Sequence, residues 1–197
     1  MAEPGTTTYW AVRSFSQALL AFLAILAGCA PSPHDLVARG KNDELRQALE
    51  KNATRVVTAR DRKEKTPLHA AVSCENRVAM EMLVEHGADL NATDITGMTP
   101  LHVAAMLGRA SEAEWLLDHG ARLDALDSFG DTPVHTAAVF GQGGVLQILV
   151  QRDAALDTPN KAGKTPIMLA RDNRRPRVVS LVESLLASRS PAPVGGG

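Results

Sequence analysis

Apolar residues along this chain come in short bursts separated by polar turns, the pattern of short paired helices. Leu36, Val37 and Ala38 mark a first helix, and Leu45, Ala48 and Leu49 a second. Further on, the small pairs Ala104-Ala105 and Ala137-Ala138 predict helices that approach one another closely. Leu83-Val84, Leu116-Leu117 and Leu149-Val150 fall late in the helices that follow. A last helix is predicted over Val178–Leu186, where Ser180, Glu183 and Ser184 interrupt the apolar residues as suits a capping element. One burst is different in kind: Ala18–Ala27 is unbroken, A-L-L-A-F-L-A-I-L-A. It is too short to span a bilayer, which needs about 20 apolar residues.

The bursts sit on a grid. Thr66-Pro67-Leu68-His69 recurs as Thr99-Pro100-Leu101-His102, as Thr132-Pro133-Val134-His135 and as Thr165-Pro166-Ile167-Met168, each 33 residues after the last. Each proline stands where a helix begins, since its missing N–H would have had no partner there. Each preceding threonine can cap the same helix through its hydroxyl. Gly108 and Gly141 break the first helix of their units, and Gly87 and Gly120 suit left-handed ends of the second. A single hairpin of this kind cannot bury its apolar face, so stability comes from stacking on neighbours.

This pattern resembles the ankyrin-repeat family over nearly all of the chain after residue 31. The resemblance implies an all-α solenoid of about five helix-turn-helix repeats with a 33-residue period, at about 32–61, 62–94, 95–127, 128–160 and 161–187. The first repeat is degenerate, and the last replaces the histidine by Met168 and the mid-repeat glycine by Arg174, as end repeats do. Residues 188–197, S-R-S-P-A-P-V-G-G-G, are expected to form a disordered tail. In the family the repeated histidine hydrogen-bonds backbone and locks neighbouring turns, so His69, His102 and His135 are read as structural and not as metal ligands or bases. His86 and His119 read as polar surface, and Trp115 as core.

The family's variable positions point into a concave groove and make its protein contacts. Here they are Ile95, Thr96, Met98, Met106 and Leu107 in one repeat, and Ser128, Phe129, Asp131, Val139 and Phe140 in the next. Apolar residues dominate both sets, and exposed aromatic and methionine side chains at a groove centre are the chemistry of a protein-binding hot spot. Flanking repeats carry Arg62, Lys63, Lys65 and Ser73 on one side and Lys161 and Lys164 on the other. An apolar centre with a charged rim is the anatomy of an interface.

The N-terminal segment reads separately. Leu26-Ala27-Gly28-Cys29 follows the apolar run and resembles the lipobox of bacterial lipoproteins. The resemblance implies a signal peptide over 1–28, cleavage before Cys29 and lipid on that cysteine, with 29–31 as a short linker. Such a chain is held in the cell envelope facing the periplasm, and Ala30 suits the outer membrane over the inner. Firm anchoring follows from the number of acyl CH₂ groups buried, at ~0.8 kcal/mol each.

Composition narrows the function further. A formal net charge of −1 and aromatics at 4% show no basic footprint for nucleic acid. Cys29 and Cys74 make neither a disulfide framework nor a zinc-type spacing. Ala162-Gly163-Lys164-Thr165 resembles the end of a phosphate-binding loop, but the earlier glycine it needs would fall at Thr158. No nucleophile has a recognisable base partner. The expectations are therefore no catalytic residue, no metal, no cofactor, no small-molecule substrate, a protein partner in the groove and a membrane contact through Cys29. Small periplasmic lipoproteins that neutralise secreted toxins, such as phospholipases delivered by type VI secretion, suggest an inhibitor or immunity role. The alternatives are a scaffold in envelope or oxidative stress defence and, least favoured, an enzyme.

Overall fold

The structure, a computed structural model, describes residues 31–189; the Ala18–Ala27 run, Cys29 and residues 190–197 lie outside them. Ten α-helices follow one another among the described residues, with no strand. They form five hairpins: α1 (Pro33–Ala38) with α2 (Asn42–Val57), α3 (Pro67–Ser73) with α4 (Arg77–Glu85), and α5 (Pro100–Leu107) with α6 (Ala110–Asp118). Then come α7 (Pro133–Phe140) with α8 (Gly143–Gln151), and α9 (Pro166–Asp172) with α10 (Pro176–Arg189).

The odd-numbered helices start where the T-P motif puts them. Thr66, Thr99 and Thr132 hold extended backbone, and the proline after each opens the helix. The Thr66 and Thr99 hydroxyls accept the backbone N–H of His69 and His102 at 3.4 Å. Each ring Nδ1 accepts the threonine's own N–H, at 3.1 and 3.2 Å. The pair satisfies two helix-end donors reciprocally, as a capping box does. Thr132 and His135 repeat it. The last unit has the proline but not the ring: Met168 is exposed, and the Thr165 hydroxyl is buried with no partner.

Small residues set the spacing of the stack. α1, α3, α5, α7 and α9 pack in series, and Ala71, Ala104, Ala105, Ala137, Ala138 and Ala170 are fully buried between them. Leu83, Leu116, Leu149 and Val182 close the core from the even-numbered helices. The turn after α9 keeps the left-handed backbone of its counterparts: Arg174 sits at φ 55° where Gly108 and Gly141 sit at 74° and 78°. Losing the glycine there changed the residue but not the conformation, at a cost of about 1 kcal/mol for a side chain in that region.

Three details differ from the sequence reading. Asn52, at φ −160°, interrupts α2, and its Oδ1 accepts the Arg55 N–H at 3.0 Å to start a short final stretch. α10 runs to Arg189, so residues 188 and 189 are helical. Trp115 is half-buried at the edge of the core and not inside it. Its indole stacks on His119 with centroids 3.8 Å apart, and the Arg77 guanidinium lies 5.3 Å over it. Arg77 also donates to the Ser111 carbonyl at 3.0 Å, so this group fastens α4 to α6. No helix among the described residues is long and apolar enough to cross a membrane.

Candidate functional site

Between hairpins the chain makes four tight loops, each begun by a residue 33 from the last: Asp61, Asp94, Asp127 and Asn160. A short carboxylate or amide there folds back on its own backbone. Oδ1 of Asp94 accepts the N–H of Thr96 at 2.8 Å and of Met98 at 3.0 Å. Asp127 does the same for Phe129 and Asp131, at 2.8 and 2.9 Å. Asp61 serves Lys63 and Lys65, and Asn160 serves Ala162 and Lys164. Burial alone would raise the Asp94 pKa. The Thr96 hydroxyl and the Thr96 and Met98 N–H groups outweigh it, and the net shift is downward.

Backbone then ties loop to loop. Ile95 N–H donates to the Lys63 carbonyl at 3.0 Å, Ser128 N–H to Thr96 at 3.0 Å, and Lys161 N–H to Phe129 at 3.2 Å. The histidines tie each odd-numbered helix to the following loop. With Nδ1 accepting, the ring proton sits on Nε2, and it donates from His69 to the Met98 carbonyl and from His102 to the Asp131 carbonyl, both at 3.0 Å. The tie is looser at His135, whose buried Nε2 makes no hydrogen bond of normal geometry although the Thr158 and Lys164 backbone still acts on the ring. Burial lowers the pKa of all three rings; for His69 and His102 the carbonyl that Nε2 meets pulls the other way without reversing it. These histidines are neutral structural groups, committed to backbone.

At the tips of these loops Ile95 and Phe129 are left exposed. Lys164, in the last loop, pairs with Asp172 at the end of α9. The 33-residue period makes Met98 and Met106, and Asp131 and Val139, the matching pairs. Loop tips and odd-numbered helix ends therefore border one shared strip.

Residues 34–127 and 113–189 match a family model described as ankyrin repeats, in three copies. The chain belongs to the ankyrin-repeat family. Its fold is the family's helix-turn-helix solenoid, and it is a protein–protein interaction module, of a family typically non-catalytic.

On this ankyrin stack the groove positions read from the sequence separate by exposure. Ile95 and Phe129 are 67% and 66% exposed, and Phe140 and Leu107 are 44% and 40%. Met98, Met106 and Val139 are half-buried, Met98 against the core. Of the basic residues, Arg62 and Lys63 are exposed and make no ion pair among the described residues. Lys65 is half-buried. Lys161 reaches the Ser128 carbonyl at 3.0 Å, and Lys164 is held by Asp172. Cys74 is an exposed free thiol at the matching end of α3.

Sequence reasoning read Asn91 and Asp94 as leading into a turn, but passed over two features. The Asp61, Asp94, Asp127 and Asn160 series was visible as a second 33-residue grid, and it is what presents Phe129. Asp172 carried no such signal, because no other repeat has an acid at that position.

Proposed function

We propose that this chain is an envelope-anchored inhibitor that seizes another protein through the strip formed by Ile95, Leu107, Phe129 and Phe140. One observation carries the reading: four large apolar side chains are exposed on two adjacent repeats, at the positions that the ankyrin resemblance assigns to the groove. Large exposed apolar patches mark interaction sites, and rigid aromatics supply much of the energy of protein interfaces. Ile95 and Phe129 stand on loops braced by hydrogen bonds, and Leu107 and Phe140 end α5 and α7, so little order is left to be imposed on binding. A preformed cap over an enzyme's mouth needs no chemistry of its own.

Affinity capture from native envelopes with the wild-type chain is expected to return an enzyme or toxin that the purified chain inhibits. The double variant Phe129→Ala with Phe140→Ala should keep its circular dichroism spectrum and bind that partner about thirty-fold more weakly, ~2 kcal/mol. Undiminished binding would remove the strip from the interface. A captured protein whose activity is unaffected would instead favour a scaffold.

The anchor rests on Leu26-Ala27-Gly28-Cys29, outside the described residues. Metabolic labelling with palmitate is expected to mark the wild-type chain and to be lost in Cys29→Ser. Label that persists in the variant would refute lipid attachment there.

A further inference from the structure

The last repeat is electrically unlike the rest. Between residues 161 and 189 lie seven basic and two acidic residues, a net +5, while the whole chain carries −1. Both acids are engaged, Asp172 by Lys164 and Glu183 by Arg171. Three of the five uncompensated charges gather at one place. A pocket of about 280 Å³ opens where α7 ends and α10 begins, lined by Phe140, Gly141, Arg174, Arg175, Pro176, Arg177 and Val178.

The three arginines differ in what already holds them. Arg175 Nε donates to the Val139 carbonyl at 3.0 Å. Gln142 and Arg109 reach back to Met106 and Ser73 from the same register, so Arg175 belongs to the stack. Arg174 and Arg177 are exposed, and neither guanidinium has a hydrogen bond or an ion pair among the described residues; the Arg174 backbone N–H donates to the Arg171 carbonyl. Two free guanidinium groups beside an exposed phenyl ring favour a ligand with an anionic group next to an apolar one. Phe140 lines both this pocket and the groove, so one extended segment could occupy the two together.

We propose that the pocket receives a carboxylate of the protein partner, from an aspartate, a glutamate or the chain terminus, adjoining an apolar side chain that packs on Phe140. The assignment rests on the groove reading above and adds the chemistry of what enters it. Arg174 and Arg177 supply paired N–H donors to the carboxylate oxygens. The partner's contact surface is accordingly acidic and apolar together, complementary to a basic repeat at the end of an apolar strip. Charge of this sign also steers an acidic partner toward the correct end of the groove.

Fluorescent peptides carrying Leu and Phe followed by Asp-Glu, by Asn-Gln or by Lys-Lys, titrated onto the full chain in neutral detergent micelles, test this by anisotropy. The acidic peptide is expected to bind about tenfold more tightly than the neutral one and to weaken as salt rises. Arg174→Gln with Arg177→Gln should abolish that preference and most of the salt dependence; the single Arg177→Gln, at an exposed helix start, gives a partial loss should the double variant unfold. Equal binding of acidic and neutral peptides, or arginine variants that keep the preference, would overturn the pocket. Phe129→Ala separates the two readings. If it weakens the peptide and the arginine variants do not, the groove stands and the pocket falls; the reverse result leaves the pocket and removes the groove. Phosphatidylglycerol vesicles that bind through Arg174 and Arg177, with no acidic-peptide preference, would assign the pocket to a membrane and overturn the proposal.

Discussion

Lowering the pH from about 7.5 to about 5 is expected to destabilise this solenoid, with a slope bounded at about 4 kcal/mol per pH unit. The cause is the repeated histidine. His69, His102 and His135 are fully buried, and burial depresses the pKa of each. In the folded chain they stay neutral, with Nδ1 accepting the N–H of the capping threonine. Once unfolded, each takes up a proton below about pH 6.5. The unfolded state then binds more protons than the folded one, so stability is complete above that pH and falls as pH drops toward the depressed folded values. Three such groups bound the slope at three protons, each ~1.4 kcal/mol per pH unit.

A second phase belongs to the aspartates. Burial would raise the Asp61 and Asp94 carboxyls, but the loop N–H groups outweigh it and hold both below the usual carboxylate range, so their contribution is present above about pH 3.9 and disappears as the pH falls through the lowered values. Urea midpoints across the range, with the helical signal as readout, check both. A stability that is flat between about pH 7.5 and 5 would mean the histidines are not held neutral by the fold.

Asp94→Ala is expected to cost about 3 kcal/mol, although nothing about residue 94 marks it as core by composition. Its Oδ1 accepts three donors, the Thr96 and Met98 N–H groups and the Thr96 hydroxyl, and the side chain is almost wholly enclosed. Alanine would leave those donors unpaired at the place where the loop meets its neighbours. The Met98 carbonyl that anchors His69 would move with it. Asp94→Asn retains an acceptor oxygen, as Asn160 does in the last loop, and should lose about 1 kcal/mol or less. Chemical denaturation of the two variants against the parent measures both. Equal losses would show that the carboxylate's charge, and not its acceptor geometry, holds the loop.

Most of the architecture was legible before any coordinate. The T-P motif, the alanine pairs and the helix-ending glycines act within a few residues of themselves, and their 33-residue spacing fixes how many hairpins there are. What they could not convey is exposure. Met98 and Phe129 both read as groove residues, yet Met98 packs against the core while Phe129 stands clear: both backbones are pinned by a loop aspartate, but Phe129 is second after Asp127, at the tip, and Met98 is fourth after Asp94, where the chain turns into α5. Trp115 looked like core by its place in the period, but the outer edge of α6 puts one face against His119 and Arg77.

Local sequence alone determined the repeat, its caps and its turns, since those depend on backbone conformation and hydrogen bonds between near neighbours. Tertiary structure alone decided which charges remain free. Lys161 and Lys164, read as binding residues, are engaged by the Ser128 carbonyl and Asp172, whereas Arg174, legible only as a lost glycine, and Arg177 are left lining the pocket beside Phe140. A charge's availability depends on partners brought close by the stacking of whole repeats, and spacing along the chain does not encode that.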